Sequence, residues 1–477
     1  MIVIIVSLVK TKNRLQHGAA FVLSHTALKH CKGQVCRDLI NVENTSQYDL
    51  RVHDLDVHFA NLLGQATGSV LGGFACDHYG RKKTFLACLV VFICSLVTTW
   101  IVVEQDPKML NGDSPVLNFL AFVAAGSAGA LYPTCGLLLS ESVHCVSRRC
   151  FIVLLLVMQW LAQLLSATFS YTIVNLPHKE LDEDMSFLSS IDLGWRALVL
   201  FPVLFALPTL CLAAFVIKEP KIHQHWVEDA HKNIGFFKNR NGLYGFVRRY
   251  CTIIFHVSIP WAMFDATFYG SGTTAFSLIP KVHKATIATS LFISWFSIAI
   301  SGLGYFISWA YIFRKYPPKL IQVCSFATLS FIYFGLCISL LAPVDHKGGH
   351  HNISSNIADV LLYNGAYRFL DFAPNISTFI FALEVWPTLY RGSLFGMCCG
   401  IAKLGGFCGL VLFYVLQSQP NTLAFSCVAS MISAIITMCT SPTYQSTSVA
   451  PDLLKKNFLK KNFGYEARCE FWLKLGC

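Results

Sequence analysis

The sequence predicts an all-α, polytopic membrane protein, and three observations carry that prediction. Hydrophobic residues make up 54 % of the 477 positions and charged residues only 13 %; a soluble chain of this length could not hide so much apolar side chain from water. Apolar runs of about 20 residues, the length that crosses a bilayer as a helix, recur along most of the chain. A polar stretch over 218–248 divides those runs into an earlier and a later set.

Read in order, the runs fall at 56–76, 84–103, 116–140, 151–175 and 194–217 before the polar stretch. They fall at 249–273, 286–313, 318–342, 358–384, 392–417 and 421–441 after it. Five precede six, so an evenly duplicated bundle needs one more at the front. Met1–Val9 is apolar but too short to cross. It has no basic leader and no clear small-residue cleavage site, so it does not read as a signal peptide. Leu15–His30 is diluted by His17, His25 and His30. We therefore expect a first helix that is short and atypical, or a chain that begins inside it. The organisation expected is an atypical N-terminus and outer loop (1–55), a first bundle (56–217), a central loop (218–248), a second bundle (249–441) and a basic tail (442–477).

The formal net charge is +11. Arg81-Lys82-Lys83, Arg148-Arg149, the central segment, Arg314-Lys315 and the Lys455–Lys461 tail fall on alternate loops, which the positive-inside rule places in the cytoplasm. The opposite loops are richer in acids, such as Glu180, Asp182, Glu183 and Asp184. The sequons at Asn44 and Asn352 fall on that opposite side, where glycosylation requires them; a third match at Asn375 lies within a span and is expected to be silent. A plasma-membrane location is the default. No basic, aromatic-rich soluble module exists, so nucleic acid is excluded as a partner. The tail is expected to be solvated, or to touch anionic lipid.

Most of the 19 cysteines lie within spans and lack metal-ligand spacing. No metal and no cofactor is expected; Cys31 and Cys36, in the outer loop, could pair. An acyltransferase-type His-x4-Asp, H-E-x-x-H, G-x-S-x-G and the phosphate-cradling G-x4-G-K-[ST] are all absent. Enzymatic chemistry and ATP as a driver are thereby excluded.

Within "FGMCCGIAKLGGFCGLVLF" (395–413) stands one charge, Lys403. A lysine at mid-span costs about 2.5–3.5 kcal/mol on insertion scales. Counted from Gly392 it lies about 16 Å along its helix, too deep to snorkel. It needs an anion or a water-filled cavity. The span at 249–273 offers Trp261, Asp265 and Tyr269 at i, i+4 and i+8, on one face within about 80°. Asp265 is the acid of that span, and two readings stay open for it: a simple partner of Lys403, or part of a polar cavity in which it carries a proton. The span at 358–384 offers Arg368 and Asn375 on one face, with Asp371 placed to neutralise Arg368 locally.

Three loops share a second pattern. "GGFACDHYGRKKT" (72–84) carries Gly73, Asp77, Gly80, Arg81, Lys82 and Lys83 in the spacing G-x-x-x-D-x-x-G-R-[RK]-[RK]. Gly80 permits a tight turn, and Asp77 can sit at the N-terminus of a neighbouring helix and pair with an arginine from the next cytoplasmic loop. "ESVHCVSRR" (141–149) offers Glu141 and Arg148, and "EVWPTLYRG" (384–392) offers Glu384 and Arg391, as candidates for the same latch. Acid-then-arginine loops at corresponding places are what a duplicated transporter predicts.

These residues resemble the major facilitator superfamily, and within it the phosphate:proton symporters and glycerophosphodiester permeases. The resemblance covers roughly 57–445. It rests on Trp261, Asp265 and Tyr269-Gly270; on Pro374-Asn375 with Thr378-Phe379; on Glu384, Pro387 and Arg391; on Lys403 with Gly405; and on Tyr132-Pro133, Glu141 and Met158-Gln159. It implies the major facilitator fold of two six-helix bundles, nominally twelve helices with the first truncated or atypical. It also implies that Tyr132, Gln159, Trp261, Asp265, Tyr269, Asn375 and Lys403 surround a small anionic substrate in a monomeric carrier, with Arg368 as an additional cation.

Two departures matter. Leu131 replaces the aspartate that the symporters use for proton coupling, and Ala402 replaces the glycine before the lysine. The acid of the family's first helix cannot be placed. The expected function is a secondary transporter of inorganic phosphate or an organophosphate, energised by protons with Asp265 as the coupling candidate, or running downhill. The alternatives kept open are an organic-cation or organic-anion transporter of the same superfamily and a non-transporting relic or sensor.

Overall fold

The structure is a computed structural model and describes residues 58–105, 115–143, 148–174, 183–220, 240–278, 287–341, 371–386, 390–416 and 419–440. Asn44, Asn352, Arg368, Pro387, the Cys31/Cys36 pair, the basic tail and most of the central loop lie outside the described residues. Those described are helical, with no strand among them. In chain order the helices are α1 (58–79), α2 (Arg81–Gln105), α3 (Pro115–Ser142), α4 (Arg148–Val174) and α5 (Glu183–Val216), then α6 (Arg240–Leu278), α7 (Ile287–Ile307), α8 (Pro318–Leu341), α9 (Phe372–Glu384), α10 (Arg391–Leu416) and α11 (Gln419–Cys439). Each predicted span therefore contains a helix. Nine of them, among the described residues, are long and apolar enough to cross a membrane by themselves. Helices satisfy their own backbone, which is why this apolar sequence folds as nothing else in lipid.

Local chemistry sets the boundaries. Gly80 breaks α1 from α2 with φ +100°, a left-handed conformation that favours glycine. The end of α7 runs through a π turn, Ser308–Ile312, and one last helical turn, Phe313–Lys315. Tyr316, ahead of Pro317, is extended (φ −115°, ψ 149°) because a proline ring excludes the helical region from the residue before it. Pro318 then opens α8, where its missing N–H is not needed.

Small residues decide which helices touch. On α1, Gly64, Gly68 and Gly72 recur every fourth residue and meet α3 at Phe122, Gly126 and Ala130. A Cβ on Gly72 would lie 2.6 Å from the Cβ of Ala130. Gly73 meets Gly392 and Gly396 of α10, so α1 is wedged between α3 of its own half and α10 of the other. On α10, Gly405 and Gly409 abut Ala262 and Ala266 of α6. Close backbone approach replaces the hydrophobic drive that lipid does not supply. Elsewhere α8 packs with α11, α2 with α3 and α5, and α4 with α7. The last contact crosses between halves and is fixed by indole N–H bonds from Trp160 to the Ile298 carbonyl (2.7 Å) and from Trp295 to Thr168 (2.9 Å).

Gly405→Val tests this packing. Its Cβ would fall 2.6 Å from the Ala262 Cα, so α6 and α10 must separate. We expect a stability loss of about 1–3 kcal/mol, read as a lower unfolding temperature of the detergent-solubilised protein; an unchanged temperature would show that the contact is not tight.

Candidate functional site

The glycine contacts that bring α6 against α10 also bring Asp265 and Tyr269 alongside Lys403. Lys403 Nζ donates to Asp265 Oδ2 at 2.9 Å and to Tyr269 Oη at 3.1 Å. The ammonium also stands 5.0 Å from the Tyr269 ring centroid and 5.7 Å from that of Tyr132, within cation–π range of both. The Lys403 side chain is 13 % exposed and that of Asp265 4 %. The pair is thus shielded but not sealed.

An aromatic wall encloses it. Tyr132 of α3 packs edge-on against Phe379 of α9 (4.9 Å) and near Trp261 of α6 (6.3 Å). Phe395 of α10 closes the wall against Phe379 (5.2 Å) and Trp261 (6.3 Å). One turn along α9 from Phe379, Asn375 donates its amide to the Tyr305 hydroxyl of α7 at 2.6 Å, and Tyr305 stacks near Trp160. Gln159 lies seven residues from fully buried Ile152, hence within about 20° of it on α4. Unlike Ile152, it is exposed.

Six of the eight substrate residues named from sequence therefore line one region drawn from α3, α6, α9 and α10; Gln159 is exposed on α4, and the eighth, Arg368, lies outside the described residues. Leu131 packs into the apolar core of the first half with Phe85 and Leu138. Tyr305 was not visible beforehand, because its partner is 70 residues away and no local spacing marks it.

A second constellation lies on the basic side. Asp77, at the end of α1, accepts hydrogen bonds from the first turn of α10: Gly392 N (3.1 Å), Ser393 N (2.6 Å) and Ser393 Oγ (2.7 Å). The arginine it binds among the described residues is Arg81 of its own loop, at 3.1 Å, and not one from the next loop on that side, because the turn at Gly80 brings the two residues together. The Arg81 guanidinium, 2 % exposed, lies on the fully buried Glu141 carboxylate, with Nε–Oε2 at 3.1 Å and Nη2–Oε1 at 3.3 Å. Glu219, just past α5, caps α2 by accepting from Arg81 N (2.6 Å) and Lys82 N (2.9 Å). The same carboxyl group lies 3.1 Å from where a Cβ on Gly80 would be, so the turn has no room for a side chain.

The latch candidates are joined across the seam rather than within their loops. Glu141 holds Arg81 and meets Arg391 of the other half at 3.6 Å. Glu384 takes Arg149 of the other half through Nε (2.8 Å) and Nη2 (3.1 Å). The two loops exchange partners across the seam. The reason is helical phase: α4 begins at Arg148, and adjacent residues on a helix point about 100° apart, so only one of the arginine pair can face α9. Arg149 and Glu219 are the residues that sequence reasoning missed. Arg149 stood beside the named candidate, and Glu219 becomes a cap only once α5 returns to α2.

Three comparisons bear on this arrangement. The model of the Major Facilitator Superfamily matches residues 55–409. Among curated proteins, the inorganic phosphate transporter 1-1 of Arabidopsis thaliana is 24 % identical over 407 residues, covering 76 % of this chain and 75 % of its own. The low affinity inorganic phosphate transporter 1 of Petunia hybrida is 23 % identical over 404 residues, covering 74 % and 72 %. Among solved structures, the proton:xylose symporter XylE superposes with a TM-score of 0.62 at 14 % identity, covering 91 % of this chain and 93 % of that one. The transporter FucP in its outward conformation gives 0.58 at 12 %, covering 91 % and 96 %.

Two expectations follow from the geometry. Lys403→Met or Asp265→Asn alone strands a shielded charge or donor, and lysine loss should cost about 3–5 kcal/mol of stability, whereas Asp265→Leu with Lys403→Met should recover most of it; thermal unfolding of the purified variants reads the difference. Asp77→Ala removes three hydrogen bonds from the first turn of α10. Spin-label distances between the basic-side ends of α4 and α9 should then shift to longer values, and an unchanged distribution would deny Asp77 a latching role.

Proposed function

The chain belongs to the major facilitator superfamily, and on that premise we propose that this membrane transporter carries inorganic phosphate or an organophosphate anion by alternating access around Lys403. One observation carries the reading: a lysine deep in its span is held by a single carboxylate and a phenol, with a second phenol ring in cation–π range and an indole packed behind it. Ammonium, phenol, indole N–H and amide are donors matched to phosphate oxygens. A cation carrier would have no use for Lys403 at the centre of its site. Relatives named as inorganic phosphate transporters support the same cargo.

In the resting carrier Asp265 neutralises Lys403. An entering oxyanion competes for Lys403 Nζ, and the carboxylate it displaces becomes an uncompensated charge in a low-dielectric space. A proton on Asp265 removes that charge and turns an oxygen that repels phosphate into one that donates to it. Proton and anion then travel together, and the two halves rock around the occupied site. Asn375, fixed by Tyr305, and Gln159 bound the far side of the cavity and set how large an anion fits. Arg368 belongs to the same proposal as an outer cation. Leu131 favours a second reading in one respect: without the family's aspartate at that position, coupling rests on Asp265, or the carrier runs downhill on a glycerophosphodiester.

Uptake of radiolabelled phosphate into cells expressing the full chain decides between these. Stimulation at mildly acidic over neutral pH, lost in Lys403→Ala with the variant verified in the membrane, is the expected outcome. Undiminished uptake in Lys403→Ala would remove the lysine from the site. No phosphate uptake by the wild type, with glycerophosphodiester uptake present, would move the cargo to the second reading.

A further inference from the structure

Among the described residues, Arg81, Arg148, Arg149 and Arg391 converge on the basic-side seam with Asp77, Glu141, Glu219 and Glu384, but the pairing is uneven, and Glu219 is taken by the backbone N–H groups that open α2. Arg149 takes Glu384, and Arg81 takes both Glu141 and Asp77. Arg391 donates Nε to the Trp386 carbonyl at 3.1 Å and reaches Glu141 only at 3.6 Å, beyond hydrogen-bond length. Arg148 has nothing comparable: its Nε is buried with no hydrogen-bond partner among the described residues.

These two under-used guanidiniums belong to opposite halves and flank one short segment. Arg148 is next to Arg149, which is tied to Glu384; Arg391 is tied to Trp386, two residues further on. The Arg148 charge is close enough to act on Arg391. Two like charges brought together at a shielded seam, each with free N–H donors, make a receptor for an anion that accepts from both at once.

We propose that Arg148 and Arg391 form an oxyanion site, separate from the central cavity, whose ligand is a phosphate group bridging the two halves on the basic side. The ligand chemistry is that of free inorganic phosphate or of a phosphate-monoester lipid headgroup. Bound there, it cross-links the halves only while their basic ends are together, so it acts as a brake on opening toward that side. With the orientation expected from the loop charges, a phosphate carrier would thereby sense the anion on its cytoplasmic face. The site itself does not depend on what Lys403 binds.

The test uses the purified full-length protein carrying Asp265→Leu with Lys403→Met, which removes the central site's ammonium without stranding its carboxylate. Inorganic phosphate is titrated at constant ionic strength, and the unfolding temperature is followed. A saturable rise is expected, with apparent affinity weakened about tenfold in Arg148→Gln, the loss of one charge-assisted interaction. Arg148→Lys keeps the charge without the planar fork and controls for folding; its affinity should fall between the two. The second arm compares nanodiscs of phosphatidylcholine with and without phosphatidic acid. Stabilisation by that lipid, lost in Arg148→Gln, with no further effect of free phosphate, identifies the headgroup as the source. If neither probe stabilises the protein, or if Arg148→Gln responds as its parent does, the site does not exist. The central reading fails on a separate measurement, uptake by wild type against Lys403→Ala.

Discussion

A charge inside the hydrocarbon thickness has no water to fall back on, so the protein must supply its counter-charge. That constraint organises the central polar region, and burial between helices places the same demand on the charges of the basic-side seam. Lys403 is matched by Asp265 across the contact of α10 with α6. Arg81 is matched by Glu141 and Asp77, and Arg149 by Glu384, around the basic-side seam. Each match ties together helices that apolar packing alone would leave free to slide, since lipid competes equally well for a leucine.

Charge matching needs backbones close enough for side chains to reach, and glycine supplies the closeness. The α10 helix carries its glycines on two faces. Gly392 and Gly396 admit α1 from the other half, and Gly405 and Gly409 admit α6 from its own. Lys403 lies between those two contacts along the helix. The same helix therefore joins the central site to the seam: its first turn is held by Asp77 and its middle carries the lysine. A change in how the first turn is held is felt along a rigid rod at the site where a substrate would sit. This is the kind of two-position element through which gating and binding can be coupled.

The partner exchange at the seam has a mechanical meaning. Had each loop paired its own acid with its own arginine, the halves would share no ionic contact there. Exchanged, Glu141 with Arg391 and Arg149 with Glu384 are made only when the halves meet on that side. The Glu141–Arg391 contact is buried but long, at 3.6 Å, and the Arg149–Glu384 bond is short but leaves 38 % of the Arg149 side chain exposed. Such pairs are strong enough to bias a conformation and weak enough to be released.

The sequence by itself determined the fold class, the eleven helices seen among the described residues and the polar groups that the structure gathers around Lys403. It could do so because bilayer thickness imposes a length on every span and an energetic cost on every buried charge; Lys403 and Asp265 stand out against apolar neighbours without any knowledge of contacts. Only the tertiary structure decided the pairings. Whether Arg148 or Arg149 meets a carboxylate depends on helix phase at one end of α4. That Glu219 caps α2 depends on where α5 returns, and that Tyr305 holds Asn375 depends on α7 lying beside α9. Those are properties of relative helix position, which one-dimensional spacing does not carry: a residue's own chemistry is written in the chain, but its partner is chosen by geometry.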